Sequence, residues 1–124
     1  MLAVQRSCDA AHPFRWEFPG GKVEPGESPE ECIVREVFEE LEIKVRPIAR
    51  LKDVNYQYPG KLICLIPFIC VKKEGDLRLT EHIGLQWLVR EEIDLPDWQE
   101  ADRLLIAKNR EELLHWFGQD HKDS

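Results

Sequence analysis

A chain of 124 residues with 43% apolar and 33% charged residues has the size and composition of one soluble globular domain, 1–124, built around one core. Acids outnumber bases 24 to 17, and the net charge of −7 excludes the basic footprint of a duplex nucleic acid binder. A phosphate substrate met through a cation remains compatible with that charge, whereas a membrane does not: the longest apolar run, LICLIPFICV (62–71), is too short to span a bilayer and contains Pro67.

LAVQR (2–6) reads as a strand. The opening MLAVQRSCDAA has no basic segment ahead of an apolar stretch, so no signal peptide is expected. Cys8, Cys32, Cys64 and Cys70 lack C-x-x-C spacing and read as reduced thiols, mostly in the core, of a cytoplasmic protein. SCDAAHPFR (7–15) is a loop, and the Gly- and Pro-rich WEFPGGKVEPGES (16–28) a series of turns. Ser28 is placed to cap a helix, Pro29 suits its first position, and Glu31 completes a capping box, so a helix is expected over Pro29–Leu41.

IKVRPIARL (43–51) reads as a strand interrupted by Pro47, NYQYPGK (55–61) as a turn, and KLICLIPFICVKK (61–73) as one long strand. EGD (74–76) turns the chain, and LQWLV (85–89) is a further short strand. Asp97 and Glu100 can form a second capping box, ahead of helical apolar spacing through DRLLIAKNREELLHWF (102–117). Strands, a helix, more strands and a final helix give an α/β (α+β) class, with a mixed sheet covered by helices.

The glutamates of REVFEELEI (35–43) stand out. Taking Glu36 as origin, at about 100° per residue Glu40 falls near +40° and Glu39 near −60°, while Ile33, Val34, Val37 and Leu41 fall between about +60° and +160°. Three carboxylates thus form one stripe bordering the apolar face. Like charges one helical turn apart cost roughly 0.2–0.5 kcal/mol. Either the stripe is an ordinary solvated face, or a hard cation with oxygen ligands sits on it.

WEFPGGKVEPGESPEECIVREVFEELEI closely resembles the signature of the Nudix hydrolases, carried by Gly21, Glu27, Arg35, Glu36, Val37, Glu39, Glu40 and Ile43. Glu42 stands where that family has glycine, at a helix end where a left-handed residue is common. EFPGGK, YP at 58–59, LTEHIGLQWL (79–88) and ADRLLIAK (101–108) are similar to the MutT-like branch. The resemblance implies a Nudix fold, an α/β/α sandwich with a mixed sheet. It also implies Mg²⁺, with Mn²⁺ as a substitute, and hydrolysis of a nucleoside triphosphate to monophosphate and pyrophosphate. An 8-oxo-dGTP-like purine and a pyrimidine such as CTP, dCTP or 5-methyl-dCTP both fit as substrate, and a nucleotide-binding Nudix module without turnover is the alternative of another class.

By the same resemblance Glu36, Glu39 and Glu40 are the metal-binding and catalytic carboxylates, with Glu81 a further acid of the site. The Gly20 or Gly21 carbonyl is a candidate ligand, while Gly21, Glu27 and Arg35 shape the motif, Arg35 pairing with Glu27 to fix the loop on the helix. Arg6 could meet a substrate phosphate, Phe18 and Tyr58 could flank the base, and Asp102 sits at the base-reading position, where an ionised carboxylate offers acceptors only. His82 reads as a loop histidine. MutT-like domains usually carry a strand before the one at 2–6, so that strand is expected to have an open edge, either paired in a homodimer or left by shortening of a longer protein.

Overall fold

The protein is described by a computed structural model covering residues 1–6, 14–79 and 82–117. Its first helix, α1 (Pro29–Leu41), begins and ends where local chemistry dictates. Ser28 Oγ accepts the Glu31 N–H at 3.0 Å, and the Glu31 carboxylate accepts the Ser28 N–H at 2.8 Å, so two otherwise orphaned donors are satisfied. Glu42 ends the helix in the left-handed region (φ 59°, ψ 26°), its N–H bonded to the Phe38 carbonyl at 2.8 Å. That reversal drops Ile43 into the core and starts β3 (Lys44–Arg50) at the next residue.

Strand β1 (Leu2–Gln5) explains the layering. Successive side chains of a strand point to opposite faces, and both Ala3 and Val4 are fully buried. Val4 packs with Val37 and Leu41 of α1 and with Ile43 and Val45. Ala3 packs with Val54, Leu88, Ile93 and Trp98, with Leu105 and Ile106 of α2 (Glu100–Lys108), and with Leu113 of α3 (Arg110–Phe117). Helices therefore cover both faces, and the chain is an α/β/α sandwich.

The remaining strands are β2 (Trp16–Glu17), β4 (Val54–Tyr58), β5 (Lys61–Leu65), β6 (Phe68–Glu74) and β7 (Gly84–Trp87). They pair antiparallel as β2–β1–β7, β3–β6 and β4–β5, and a parallel bridge joins Trp16 to Trp98. The open edge expected on the first strand is corrected here: β1 is central, flanked by β2 and β7. NYQY is a strand rather than a turn, with Pro59 and Gly60 alone turning the β4–β5 hairpin. The long strand expected over 61–73 breaks at Ile66–Pro67, because proline has no N–H for a ladder; β5 pairs with β4 and β6 with β3, so the chain changes partners there. Pro47 does not interrupt β3, which absorbs it in a register shift between Pro47 and Ala49. Cys32 is buried, Cys64 exposed and Cys70 half-buried, so Cys64 is no core thiol; Cys8 lies outside the described residues.

The capping box expected from Asp97 and Glu100 does not form. Gln99 is the N-cap of α2, and Asp97 instead pairs with Arg15 at 3.3 Å and Arg103 at 3.6 Å. The helix expected over 102–117 is two helices meeting at fully buried Asn109. Its side chain accepts the Lys52 N–H at 2.8 Å and donates to the Lys52 carbonyl at 3.1 Å and the Leu105 carbonyl at 3.2 Å, fastening the break to the β3–β4 connection.

A left-handed non-glycine residue is strained by about 1 kcal/mol, and the Glu42 side chain is exposed. Glu42→Gly is expected to stabilise the protein by that amount, seen as a raised midpoint in urea unfolding; a lowered midpoint contradicts the reading of Glu42 as a strained exit.

Candidate active site

The helix geometry grades the three glutamates. Side-chain exposure is 56% for Glu39, 18% for Glu36 and 4% for Glu40, so Glu40 turns in at the core boundary while Glu39 stays in solvent. Arg35 ties this stripe to the glycine-rich loop. Its Nε and Nη2 donate to the two Glu27 carboxylate oxygens at 2.6 and 3.0 Å, a fork on a fork. Nη2 also donates to the Lys22 carbonyl at 3.1 Å, and Nη1 to Glu36 Oε1 at 2.7 Å and Glu39 Oε1 at 3.2 Å. The Arg35 hydrogen bonds, helped by the Glu24 N–H, hold the Glu27 carboxyl down to about 2.

The clamp brings backbone against carboxylate. A Cβ on Gly21 would lie 2.2 Å from the Glu36 carboxyl carbon, so any larger residue would displace the Glu36 carboxylate from its present place. Gly20 donates its N–H to Glu40 Oε2 at 3.1 Å.

A second group enters from β2 and from the segment before β7. Arg6 Nη1 donates to Glu17 Oε1 at 2.7 Å, and His82 Nε2 lies 2.8 Å from Glu17 Oε2. Burial raises the Glu17 pKa, but hydrogen bonds from His82 and Arg6 outweigh it and hold the group below its ordinary value. His82 Nδ1 stands 3.6 Å from Glu40 Oε1. His82, expected as a loop histidine, thus lies between Glu17 and Glu40, and neither it nor Glu17 was prominent in the sequence, where the pair lies 65 positions apart.

A third group gathers on the first turn of α2. Asp102 Oδ1 accepts the Phe18 N–H at 3.0 Å, Tyr58 Oη accepts the Ala101 N–H at 3.0 Å, and the Phe18 ring packs on Trp98 with centroids 4.7 Å apart. Burial pushes the Asp102 carboxyl up to about 7, which corrects the expectation of a plainly ionised acceptor: near neutral pH the group also exists as an acid with a proton to donate. Glu81 lies outside the described residues.

Residues 1–116 match the NUDIX domain family. The chain belongs to the Nudix family. It is 32% identical over 108 residues to an 8-oxo-dGTP diphosphatase of Escherichia coli, covering 87% of this chain and 84% of that protein. It is 35% identical over 92 residues to a CTP pyrophosphohydrolase of the same organism, covering 74% of this chain and 68% of that one. A MutT protein structure from Methanosarcina mazei superposes with a TM-score of 0.78 at 29% identity, over 90% of this chain and 83% of that one.

Nudix enzymes are hydrolases that generally need a divalent metal ion. The donors of this Nudix chain suit one: Glu36, Glu39 and Glu40 offer carboxylate oxygens on one stripe, and glycine keeps side chains away from Glu36. Glu36 and Glu39 already share one cationic centre, Arg35 Nη1. Among the described residues no three His, Cys, Asp or Glu side chains stand together as a ready-made metal cluster.

Asp102 generates a pH prediction. Its folded-state pKa of about 7 lies above its unfolded value of 3.8, so its stabilising effect is complete below 3.8 and lost as pH rises through 7. The melting temperature of Asp102→Asn minus that of the unaltered protein should become more positive between pH 5 and pH 8. A difference that stays constant across that range contradicts the raised pKa.

Proposed function

We propose that this Nudix enzyme hydrolyses a nucleoside triphosphate to the monophosphate and pyrophosphate, with Mg²⁺ as its cation and an 8-oxo-dGTP-like purine nucleotide as substrate. The observation that carries this reading is the placement of Glu36 and Glu40 directly against the Gly20–Gly21 backbone, with Glu39 on the same stripe of the helix. Carboxylate oxygens beside glycine backbone suit a cation carrying a polyphosphate. The names of two relatives, an 8-oxo-dGTP diphosphatase and a CTP pyrophosphohydrolase, support hydrolysis of a nucleoside triphosphate, and the first of them supports the purine.

Glu36, Glu39 and Glu40 would hold the cation, with a Gly20 or Gly21 carbonyl as a further donor. When bound, a divalent ion neutralises phosphate charge and orients the attacking water. Arg6, fixed by Glu17, is assigned to a phosphate oxygen. One of Glu36, Glu39, Glu40 or Glu81 takes the proton of the water. The base is assigned to the first turn of α2, between Phe18 and Tyr58, where Asp102 can offer an acceptor and, in its neutral form, a donor to a purine edge.

The test is pyrophosphate release from 8-oxo-dGTP, dGTP, CTP, dCTP and 5-methyl-dCTP, with and without Mg²⁺. Release should require the metal and have its highest kcat/KM for 8-oxo-dGTP, and Glu40→Gln should lower kcat at saturating Mg²⁺ by roughly 10²-fold or more without unfolding the protein. Preference for CTP or dCTP would move the substrate to the pyrimidine class. Near-normal turnover in Glu40→Gln would remove that residue from the metal site.

A further inference from the structure

His82 has no assigned work in the hydrolysis above, yet its side chain is only 6% exposed and is wedged between carboxylates from two different elements. On one side Nε2 meets Glu17 Oε2 at 2.8 Å. An ionised carboxylate can only accept, so Nε2 carries the proton and donates it. On the other side Nδ1 is buried, has no hydrogen-bond partner among the described residues, and stands 3.6 Å from Glu40 Oε1. The two Glu40 oxygens therefore have separate neighbours: the Gly20 N–H at Oε2 and the His82 ring at Oε1. The far oxygen of Glu17 is held by Arg6 at 2.7 Å, so hydrogen bonds run from Arg6 through Glu17 to His82, and the other side of the His82 ring stands 3.6 Å from Glu40; the residue assigned to phosphate and a residue assigned to metal thus meet on one imidazole.

We propose that His82 is a positioning residue that sets Glu40 for the cation on one side and, through Glu17, fixes Arg6 for the phosphates on the other. This deepens the hydrolase reading and rests on it. The ring cannot rotate without breaking the Glu17 bond, and Glu17 cannot turn without releasing Arg6. Partners of metal-binding groups act by such fixing, and their loss costs about 10- to 100-fold in metal affinity or activity. A histidine that merely filled space would leave both unchanged once the fold was intact.

The experiment is a calorimetric Mn²⁺ titration of nucleotide-free protein, paired with steady-state kinetics, for His82→Ala, His82→Gln, Glu17→Ala and the double variant His82→Ala/Glu17→Ala. Mn²⁺ affinity is read without nucleotide, so a wrong substrate class leaves this arm standing. His82→Ala should weaken Mn²⁺ binding and lower kcat by about 10-fold each, with a smaller change in KM. His82→Gln, whose amide can still donate to Glu17, should recover part of both losses. The double variant should lose no more Mn²⁺ affinity than the worse single variant, because both cut one chain. Should His82→Ala not fold, Glu17→Ala and His82→Gln decide. Unchanged Mn²⁺ affinity in His82→Ala or Glu17→Ala, no recovery in His82→Gln, or additive losses in the double variant would overturn the proposal.

Discussion

The Arg35 guanidinium is the group on which the site depends. Glu36 and Glu40 are one helical turn apart and Glu39 lies between them, so α1 carries like charges that repel by roughly 0.2–0.5 kcal/mol per neighbouring pair. Arg35 offsets that repulsion with charge-assisted hydrogen bonds to Glu27, Glu36 and Glu39 at once. The same guanidinium also donates to the Lys22 carbonyl and so pins the glycine loop to the helix. The close approach of Gly21 to Glu36 and the Gly20–Glu40 bond both belong to that pinned geometry.

The carboxylates are then divided by environment. Glu27 and Glu17 sit against guanidinium or imidazole donors and are held below their ordinary values, so they stay ionised and keep Arg35 and Arg6 in place. Asp102 is buried, and although the Phe18 N–H donates to it, burial dominates. One end of the site thus gathers ionised carboxylates and guanidinium groups, and the other has a carboxyl that can be neutral beside the Phe18–Trp98 pair; the proposed division between cation and phosphate on one side and nucleobase on the other rests on that difference.

Much of this was legible in the sequence because its causes are local. Ser28, Pro29 and Glu31 marked the start of α1, and helix periodicity ordered Glu36, Glu39 and Glu40 as the exposures later did. The left-handed turn at Glu42 followed from the glycine that the resembled motif carries there. What was not legible depends on distant partners. The break at Asn109 comes from hydrogen bonds to Lys52, 57 positions away, and Asp97 abandons a cap for Arg15 across the fold. Glu17 and His82 are unremarkable until β1, flanked by β2 and β7, brings their segments together. The Asp102 carboxyl read as an ionised acceptor because burial leaves no mark in sequence.

The account rests on Arg35 clamping the loop to α1, and amide hydrogen exchange on Arg35→Lys addresses that clamp directly. Lysine keeps the positive charge but presents a point charge in place of the planar fork. The prediction is that the Gly20 amide, bonded to Glu40 in the unaltered protein, loses most of its protection, together with its neighbours in the 20–27 loop, while the amides of Val37 to Leu41 in α1 keep theirs. Undiminished protection at Gly20 in Arg35→Lys would contradict it.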